Sequence, residues 1–272
     1  MESFGAYVLA ELVGAGPTGE VWTARDDEGH LHRLKRSHSG LMDPGRAIRA
    51  FEGISRAWTQ FGRTRPLGLE RPVSTVLPDE LGRFCIITEW KPESRPASEL
   101  ATDAGLAVRA DAVCALSKRV GQALALLHEA GFVHGRLTPD NVLVHDDEVW
   151  LVDFFWAQAG WSQQPLGPPE LGDGRGAMPE TDQWLWGKLT RKLLGESIRD
   201  FPELSAWTRK AMHPDPHQRF VDVAEAGGAF EQALEPLSTE DVHAPETSRD
   251  ITEPVAAVDD DGSEAQTEDI RA

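Results

Sequence analysis

The chain has 272 residues, of which 40% are hydrophobic, so it holds enough apolar material for one large domain or two small ones. Its formal net charge of -18 opposes binding to nucleic acid or to an anionic membrane surface, because both are negatively charged. The two cysteines, Cys85 and Cys114, each lie in an apolar run, which predicts buried thiols and a reducing compartment.

No segment predicts export or membrane insertion. Residues 1–16 lack a basic amino-terminal region, and Glu11 interrupts their apolar run. No uninterrupted apolar stretch approaches the roughly 20 residues that span a bilayer. We therefore expect a cytoplasmic protein with no membrane insertion.

The first elements predict a β-hairpin with a glycine-rich tip. Tyr7 to Val13 has the pattern of a strand, Gly14, Gly16 and Gly19 follow, and Val21 to Ala24 continues as a second strand. Glycines let backbone N–H groups approach phosphate oxygens, because no Cβ stands in the way. The alternative is an ordinary hairpin with a glycine-rich tip.

The next elements complete a small lobe. Alternating residues predict a third strand at 31–36, and a helical period predicts a helix over 48–61. Two further strands are predicted at 73–77 and 84–88, separated by a polar turn. We expect five strands and one helix here.

A long helix leads to the central polar segment of the chain. Apolar residues from Val113 to Ala130 recur at helical spacing and stop at Gly131. Beyond this helix, Asn141 directly precedes one apolar strand-like run, and Asp153 directly follows the next one. Both residues carry side-chain oxygens suited to Mg²⁺. The pattern indicates a phosphoryl-transfer centre.

Several motifs resemble those of protein kinases. His134-Gly135-Arg136-Leu137-Thr138-Pro139-Asp140-Asn141 resembles the catalytic loop, and Asp153-Phe154-Phe155 resembles the metal-binding loop. Pro168-Pro169-Glu170, Thr181 to Gly187, and Arg219 match further motifs in the family's order. The resemblance implies an α+β, two-lobed, protein kinase-like fold over residues 1–236, with a small lobe at about 1–88, a hinge at about 89–92 and a large lobe at about 93–236. It also implies a buried ion pair between Glu170 and Arg219.

The same resemblance implies ATP and Mg²⁺ as cofactors. Lys35 corresponds to the lysine that contacts the α- and β-phosphates, and Glu52, the one acidic residue of the predicted helix, is its expected ion-pair partner. Asn141 and Asp153 are the implied Mg²⁺ ligands. The full set of implied nucleotide-binding residues is Gly14, Gly16, Gly19, Val21, Lys35, Glu52, Thr88, Glu89 and Trp90.

The resemblance fails at the residues that perform catalysis. Arg136 replaces the aspartate that accepts the substrate proton, and a guanidinium does not accept a proton at ordinary pH. Thr138 replaces the lysine that steadies the transferred phosphate, and Phe155 replaces a glycine. Asp140 is a conceivable substitute base, although a turn carboxylate is the simpler interpretation.

These departures favour a nucleotide-binding pseudokinase of the serine/threonine kinase type, which regulates or scaffolds through protein–protein contacts. The alternative is a divergent but active serine/threonine protein kinase that uses Asp140 or another base. A third possibility, transfer of some other group from the nucleotide, has no residue in its support.

Residues 237–272 differ in composition from the rest. They contain eleven acidic residues against two arginines, and no aromatic residue, which predicts a disordered acidic tail. Thr247, Thr252 and Thr267 lie among these acids. A tail that serves only for solvation is the favoured interpretation. The alternative hypothesis is that an active kinase phosphorylates these threonines and that a phosphothreonine reader binds the product.

Overall fold

A six-stranded antiparallel sheet forms the amino-terminal part of the computed structural model. Its strands are β1 (Ser3–Phe4), β2 (Tyr7–Gly16), β3 (Gly19–Arg25), β4 (Leu31–Ser37), β5 (Pro72–Val76) and β6 (Cys85–Glu89). Their order in the sheet is β1-β2-β3-β4-β6-β5, which places β4 between β3 and β6. One face packs around an apolar core that includes Leu34, Cys85 and Ile87. Helix α1, at residues 51–56, follows β4 along the chain.

The structure describes residues 2–16, 18–40, 45, 48–49, 51–56, 59, 68–76, 79–100, 110–154, 167–172 and 176–239, with the backbone alone at 236–239. Residues 1–236 form one compact unit. Of the second unit, which begins at Leu237, the described part is the end of the last helix.

The carboxy-terminal part is mainly helical. A small sheet of β7 (Arg95–Pro96), β8 (Val142–His145) and β9 (Glu148–Leu151) lies beside its helices. The helices are α2 (Ala97–Leu100), α3 (Ala110–Glu129), α4 (Pro169–Gly172), α5 (Pro179–Leu194), α6 (Pro202–Ala211) and α7 (Val223–Thr239), with 3-10 turns at Pro139–Asn141, Gly195–Asp200 and Pro216–Gln218.

Two helices, α3 and α5, form the centre of this larger lobe. Gly121 on α3 has no side chain, so the indole ring of Trp186 on α5 lies directly against the α3 backbone. The Trp186 indole N–H donates to the Ser117 carbonyl at 3.0 Å, which satisfies a buried polar group. Trp186 also contacts the rings of Trp207 and Phe230, which joins α5 to α6 and α7. The first turn of α5 lies against the loop at residues 134–141, called the central loop below, because Asp182 of α5 contacts His134.

The predicted α+β, two-lobed architecture is confirmed. All five predicted small-lobe strands are present, and β1 adds a sixth. Cys85 and Cys114 are buried free thiols, as predicted. Among the described residues, no helix is long and apolar enough to cross a bilayer. Helix α7 continues through the predicted boundary at residue 237 to Thr239, while the first compact unit ends at Pro236. The rest of the predicted tail, with its three threonines, lies outside the described residues.

Candidate functional site

Asp182 of α5 holds the backbone of the central loop through hydrogen bonds. Its two carboxylate oxygens accept hydrogen bonds from the backbone N–H groups of His134 and Gly135, each at 2.7 Å. The His128 imidazole adds a third hydrogen bond, at 2.8 Å. Gly135 has a φ of 65°, a left-handed conformation that favours glycine. Asp182 is fully buried, so this loop is held by charge-assisted hydrogen bonds away from water.

Arg136 occupies the middle of the loop. Its backbone N–H donates to His134 Nδ1 at 3.3 Å, and its carbonyl accepts a hydrogen bond from the Asn141 side-chain amide at 2.8 Å. Burial lowers the pKa of Arg136, and the nearby Asp153 carboxylate opposes that change. An arginine nevertheless stays protonated at physiological pH. The loop therefore presents a cation where the resemblance would place a carboxylate.

Asp153 lies at the centre of a buried cluster of charges. Arg33 Nη2 donates to Asp153 Oδ1 at 3.0 Å, and Lys35 Nζ contacts Asp153 Oδ2. The Asp153 backbone N–H donates to Glu70 Oε1 at 2.6 Å. Burial favours the neutral acid, but the charges of Lys35 and Arg33 more than offset it and hold the pKa of Asp153 below its usual value. Asp153 is therefore a buried carboxylate ion with two cationic partners.

Asp153 also has an unusual backbone conformation. Its φ of 74° lies in the left-handed region, which residues other than glycine rarely adopt. Such conformations cost about 1–3 kcal/mol and persist where the surroundings fix them. Here the backbone hydrogen bond to Glu70 and the two cations on the side chain fix it.

Two members of the cluster, Arg33 and Glu70, were not predicted from the sequence. Arg33 Nη1 lies 3.4 Å from Glu70 Oε2, and the Glu70 backbone N–H donates to the Leu151 carbonyl at 2.9 Å. Burial raises the pKa of Glu70 to about 7, while Arg33 opposes the rise. A signal for Arg33 did exist, because residues two apart on a strand share a face and Lys35 follows at that spacing. Glu70 lies outside any motif.

The predicted ion pair between Lys35 and Glu52 is not formed in the structure. Glu52 is exposed on α1. Lys35 is buried, and the carboxylate that its ammonium contacts is Asp153. Burial lowers the pKa of Lys35, and Asp153 opposes that change. Desolvation explains the choice of partner, since a buried ammonium needs a buried counter-charge.

The predicted Mg²⁺ ligands do not form a vacant cation site. Both Asp153 oxygens already have a cationic partner. Asn141 donates through its amide nitrogen to the Arg136 carbonyl, a bond that does not involve its side-chain oxygen. Among the described residues, no group of three or more His, Cys, Asp or Glu side chains is arranged to hold a metal ion. A divalent cation at Asp153 would stand beside Arg33 and Lys35, so the residues present do not fit Mg²⁺ in this conformation.

The three glycines of the first hairpin differ in what they permit. A Cβ on Gly19 would lie 2.0 Å from the Arg36 carbonyl oxygen, so this position requires glycine for close approach of two strands. Gly14 and Gly16 have open space around them. Open space and a bare backbone are what a phosphate-contacting loop needs. Val21, half-buried, is paired with Lys35 in the sheet register, so this hairpin adjoins the charged cluster.

Residues at the end of β6 lie on the other side of the cluster. Thr88 is buried and is paired in register with Arg33. Its hydroxyl is buried and has no hydrogen-bond partner within the described part of the chain. Glu89 and Trp90 follow and are half-buried. The register thus places the side chains of Val21, Lys35 and Thr88 on the same face of the sheet, with Val21 and Thr88 on the strands to either side of β4.

Asp140, the conceivable substitute base, has a different environment. It is exposed, and its carboxylate accepts a hydrogen bond from the Ser98 hydroxyl at 2.6 Å. Ser98 belongs to α2. A carboxylate that accepts this hydrogen bond in water has the environment of a turn residue, as the simpler interpretation expects.

The expected ion pair between Glu170 and Arg219 is present. The guanidinium binds both carboxylate oxygens, at 2.7 and 3.0 Å, and Arg219 also donates to the Glu180 carbonyl at 2.7 Å. Both side chains are almost fully buried. The pair joins α4 to the segment before α7. Within the described part of the chain, neither residue forms a hydrogen bond with the charged cluster around Asp153.

Comparison with known proteins supports the kinase-like fold. No protein-family profile matches the chain. A probable serine/threonine-protein kinase BUD32 homolog from Archaeoglobus fulgidus is 36% identical over 52 residues, which cover 19% of this chain and 27% of that relative. The chain thus matches only about a quarter of that relative's length.

Solved structures share the fold over most of the chain. The kinase domain of Mycobacterium tuberculosis PknI has a TM-score of 0.70 at 19% sequence identity, and the match covers 86% of this chain and 97% of that one. Rad53 in complex with AMP-PNP has a TM-score of 0.63 at 19% identity, with coverage of 82% and 64%. The chain therefore has a protein kinase-like fold, with a curled antiparallel sheet in the small lobe and a helical large lobe.

Proposed function

We propose that the protein is a nucleotide-binding pseudokinase that regulates or scaffolds other proteins through direct contacts. The observation that carries this proposal is the position of Arg136. It lies in the loop that Asp182 anchors, its carbonyl accepts a hydrogen bond from the Asn141 amide, and Asp153 is close enough to oppose the lowering of its pKa by burial. A base is needed there to accept or orient the proton of a substrate hydroxyl. A guanidinium has no acceptor atom for it.

Nucleotide binding is supported by the residues around this loop. The hairpin tip has open space at Gly14 and Gly16, and Lys35 supplies a cation nearby, and both are features that favour phosphate binding. Thr88, at the end of β6, lies next to Arg33 on the side of β4 opposite to the hairpin. One structural neighbour, Rad53, is described in complex with AMP-PNP, and this supports an adenine nucleotide as the ligand.

Thermal unfolding with ATP tests the binding part of this proposal. A ligand that binds only the native state at 100 times its Kd stabilises the protein by about 2.7 kcal/mol, which raises Tm measurably. We expect a rise in Tm with millimolar ATP and a smaller one with adenosine, which lacks the phosphates. Equal Tm values with and without ATP would contradict nucleotide binding.

An active, divergent serine/threonine kinase is the second candidate. It is favoured by the similarity to the BUD32 homolog, which is named a probable kinase, and its base would be Asp140. The hydrogen bond from Ser98 and the exposure of Asp140 argue against that role. Radiolabel transfer from ATP to a generic basic substrate distinguishes the two candidates, with Asp153→Asn as the inactive control.

We propose that the chain binds other proteins and binds neither nucleic acid nor membranes, on the basis of its net charge of -18 and its kinase-like fold. The tail from Leu237 supplies part of this proposal, since its acidic threonine sites suit phosphorylation by an active kinase and binding by a phosphothreonine reader. Mass spectrometry of protein isolated under phosphatase inhibition tests it. Unmodified Thr247, Thr252 and Thr267, together with unchanged partners after truncation at Leu237, would contradict it.

A further inference from the structure

We propose that this site binds a metal-free nucleoside triphosphate, and that Arg33, Lys35 and Arg136 provide the positive charge that a divalent cation would otherwise supply. This inference rests on the proposed nucleotide binding and concerns the chemical form of the ligand. It assigns a binding role to Arg33 and a positioning role to Glu70. Both residues contact Asp153, and they also contact each other.

The first argument is the occupancy of Asp153. Its oxygens contact Arg33 and Lys35, and all three side chains are at most 10% exposed. Two like unit charges 4 Å apart repel by about 4 kcal/mol at an effective dielectric constant of about 20. A divalent ion at Asp153 would meet that repulsion from two neighbours and carries twice the charge. Magnesium also requires near-octahedral oxygen ligands, which this pair of ion-paired oxygens does not offer.

The second argument is the balance of charge. Counting the described side chains of the cluster together with the neighbouring Arg136, there are three cations (Arg33, Lys35 and Arg136) and two carboxylates (Glu70 and Asp153). At least one positive charge therefore remains over. A polyphosphate next to Asp153 would be repelled if that carboxylate were unpaired. With Arg33 and Lys35 beside it, the carboxylate is neutralised from within the protein, and the surplus cation attracts phosphate.

The third argument is the state of Arg136. Its Nε is buried and has no hydrogen-bond partner within the described part of the chain. Buried N–H groups in proteins almost always have an acceptor, so this one is available to donate to an oxygen of a bound ligand. Arg136 is half-buried, whereas Arg33 and Lys35 are buried. We therefore expect phosphate oxygens to contact Arg136 directly, with Arg33 and Lys35 acting behind it.

Glu70 positions Arg33 for this role. It lies 3.4 Å from the Arg33 guanidinium, accepts the Asp153 backbone N–H at 2.6 Å and is tied by its own backbone N–H to Leu151. Through these contacts it joins β4 to the segment that carries Asp153. Without Glu70, the Arg33 side chain would lose one of the two carboxylates that orient it.

Isothermal titration calorimetry of the full chain with ATP tests the proposal. One titration contains excess Mg²⁺ and the other contains EDTA, and we expect the Kd in EDTA to be equal to or lower than the Kd in Mg²⁺, because Mg²⁺ in solution competes with the protein for the triphosphate. Binding in Mg²⁺ that disappears in EDTA would overturn this inference and leave the proposed nucleotide binding intact. Absence of heat and of a Tm shift in both buffers would overturn both.

Two variants identify the residues responsible. The Arg33→Gln/Glu70→Gln double variant removes a cation and its counter-charge together, so no unpaired carboxylate is created at Glu70. We expect its Kd for ATP in EDTA to rise by about tenfold or more, with Mg²⁺ restoring part of the affinity. Arg136→Gln, at a less buried position, is expected to weaken binding in EDTA in the same direction.

The matched control is Arg199→Gln, which removes an arginine whose side chain is 78% exposed and lies on the 3-10 turn Gly195–Asp200. We expect its affinity for ATP to equal that of the wild type in both buffers. If the double variant does not unfold cooperatively, Arg136→Gln decides the question. Wild-type affinity of Arg136→Gln in EDTA would overturn the role assigned to these cations.

Discussion

The carboxylate of Asp182 accepts a hydrogen bond from the backbone N–H of His134 at 2.7 Å, so a buried residue in the first turn of helix α5 holds the first residue of the loop at 134–141. This hydrogen bond connects the helical core to the candidate site. It also fixes the backbone at His134, in the part of the loop that precedes the 3-10 turn Pro139–Asn141 and belongs to no helix or strand.

The Asp182→Ala variant is expected to be less stable by about 2–4 kcal/mol, because the buried N–H groups of His134 and Gly135 lose their acceptors. Urea denaturation monitored by tryptophan fluorescence measures the loss. The control is Asp200→Ala, at an exposed position, which should differ from the wild type by less than about 0.5 kcal/mol. Equal unfolding free energies for the two variants would contradict the anchoring role of Asp182.

Gly121→Ala is expected to destabilise the large lobe. A Cβ there would lie 2.3 Å from the Trp186 ring, so the ring must shift and strain the core at a cost of about 1–3 kcal/mol. Gly228→Ala on α7 is the matched control, because a Cβ there meets nothing within 4 Å. That variant should gain up to about 1 kcal/mol from helix propensity. A comparison of Tm values shows whether the two changes have opposite signs.

Gly19→Ala should disrupt the first hairpin, since its Cβ would meet the Arg36 carbonyl oxygen. We expect a lower Tm and, as a consequence, weaker ATP binding. Gly14→Ala, which has open space, should fold as the wild type does. If Gly14→Ala nevertheless weakens ATP binding at unchanged Tm, the effect locates the phosphate near the hairpin tip.

The pair of Glu170 and Arg219 predicts a dependence of stability on pH. Burial alone would raise the pKa of Glu170, but the hydrogen bonds from Arg219 outweigh it and keep the pKa below the usual 4.5. Its contribution to the free energy of unfolding is therefore full above pH about 4.5 and is lost as the pH falls through the lower, folded-state value. The stability difference between wild type and Glu170→Gln should shrink from pH 6 towards pH 3. A difference that stays constant across this range would contradict the assignment.

Phosphoryl transfer by the wild type is expected to equal that of Asp153→Asn, because the loop lacks a base at Arg136. Loss of general acid–base catalysis typically reduces rates by about 10²- to 10⁴-fold. Arg136→Asp alone should restore little, since Thr138 still lacks the charge that steadies the phosphate. Robust transfer by the wild type that Asp140→Ala abolishes would instead establish an active kinase.

The sequence alone predicted the strands of the small lobe and the long helix α3, and its resemblance to protein kinases implied the two lobes. The strands and α3 follow from local patterns: alternation along β4, helical spacing along α3 and glycine at the turns. The partnership of Glu170 with Arg219 was also predicted, since both residues belong to recognisable motifs. These features depend on residues close in the chain or on ordered motifs.

Only the tertiary structure decided the partners of the buried charges. Lys35 had an expected partner in Glu52, yet it contacts Asp153, which is 118 residues away in the chain. Arg33 and Glu70 carry no motif, and their importance appears only when β4 and the segment that ends at Asp153 pack together. Electrostatic energy in a buried site depends on distances of a few ångströms between residues far apart in sequence, and no local pattern contains those distances.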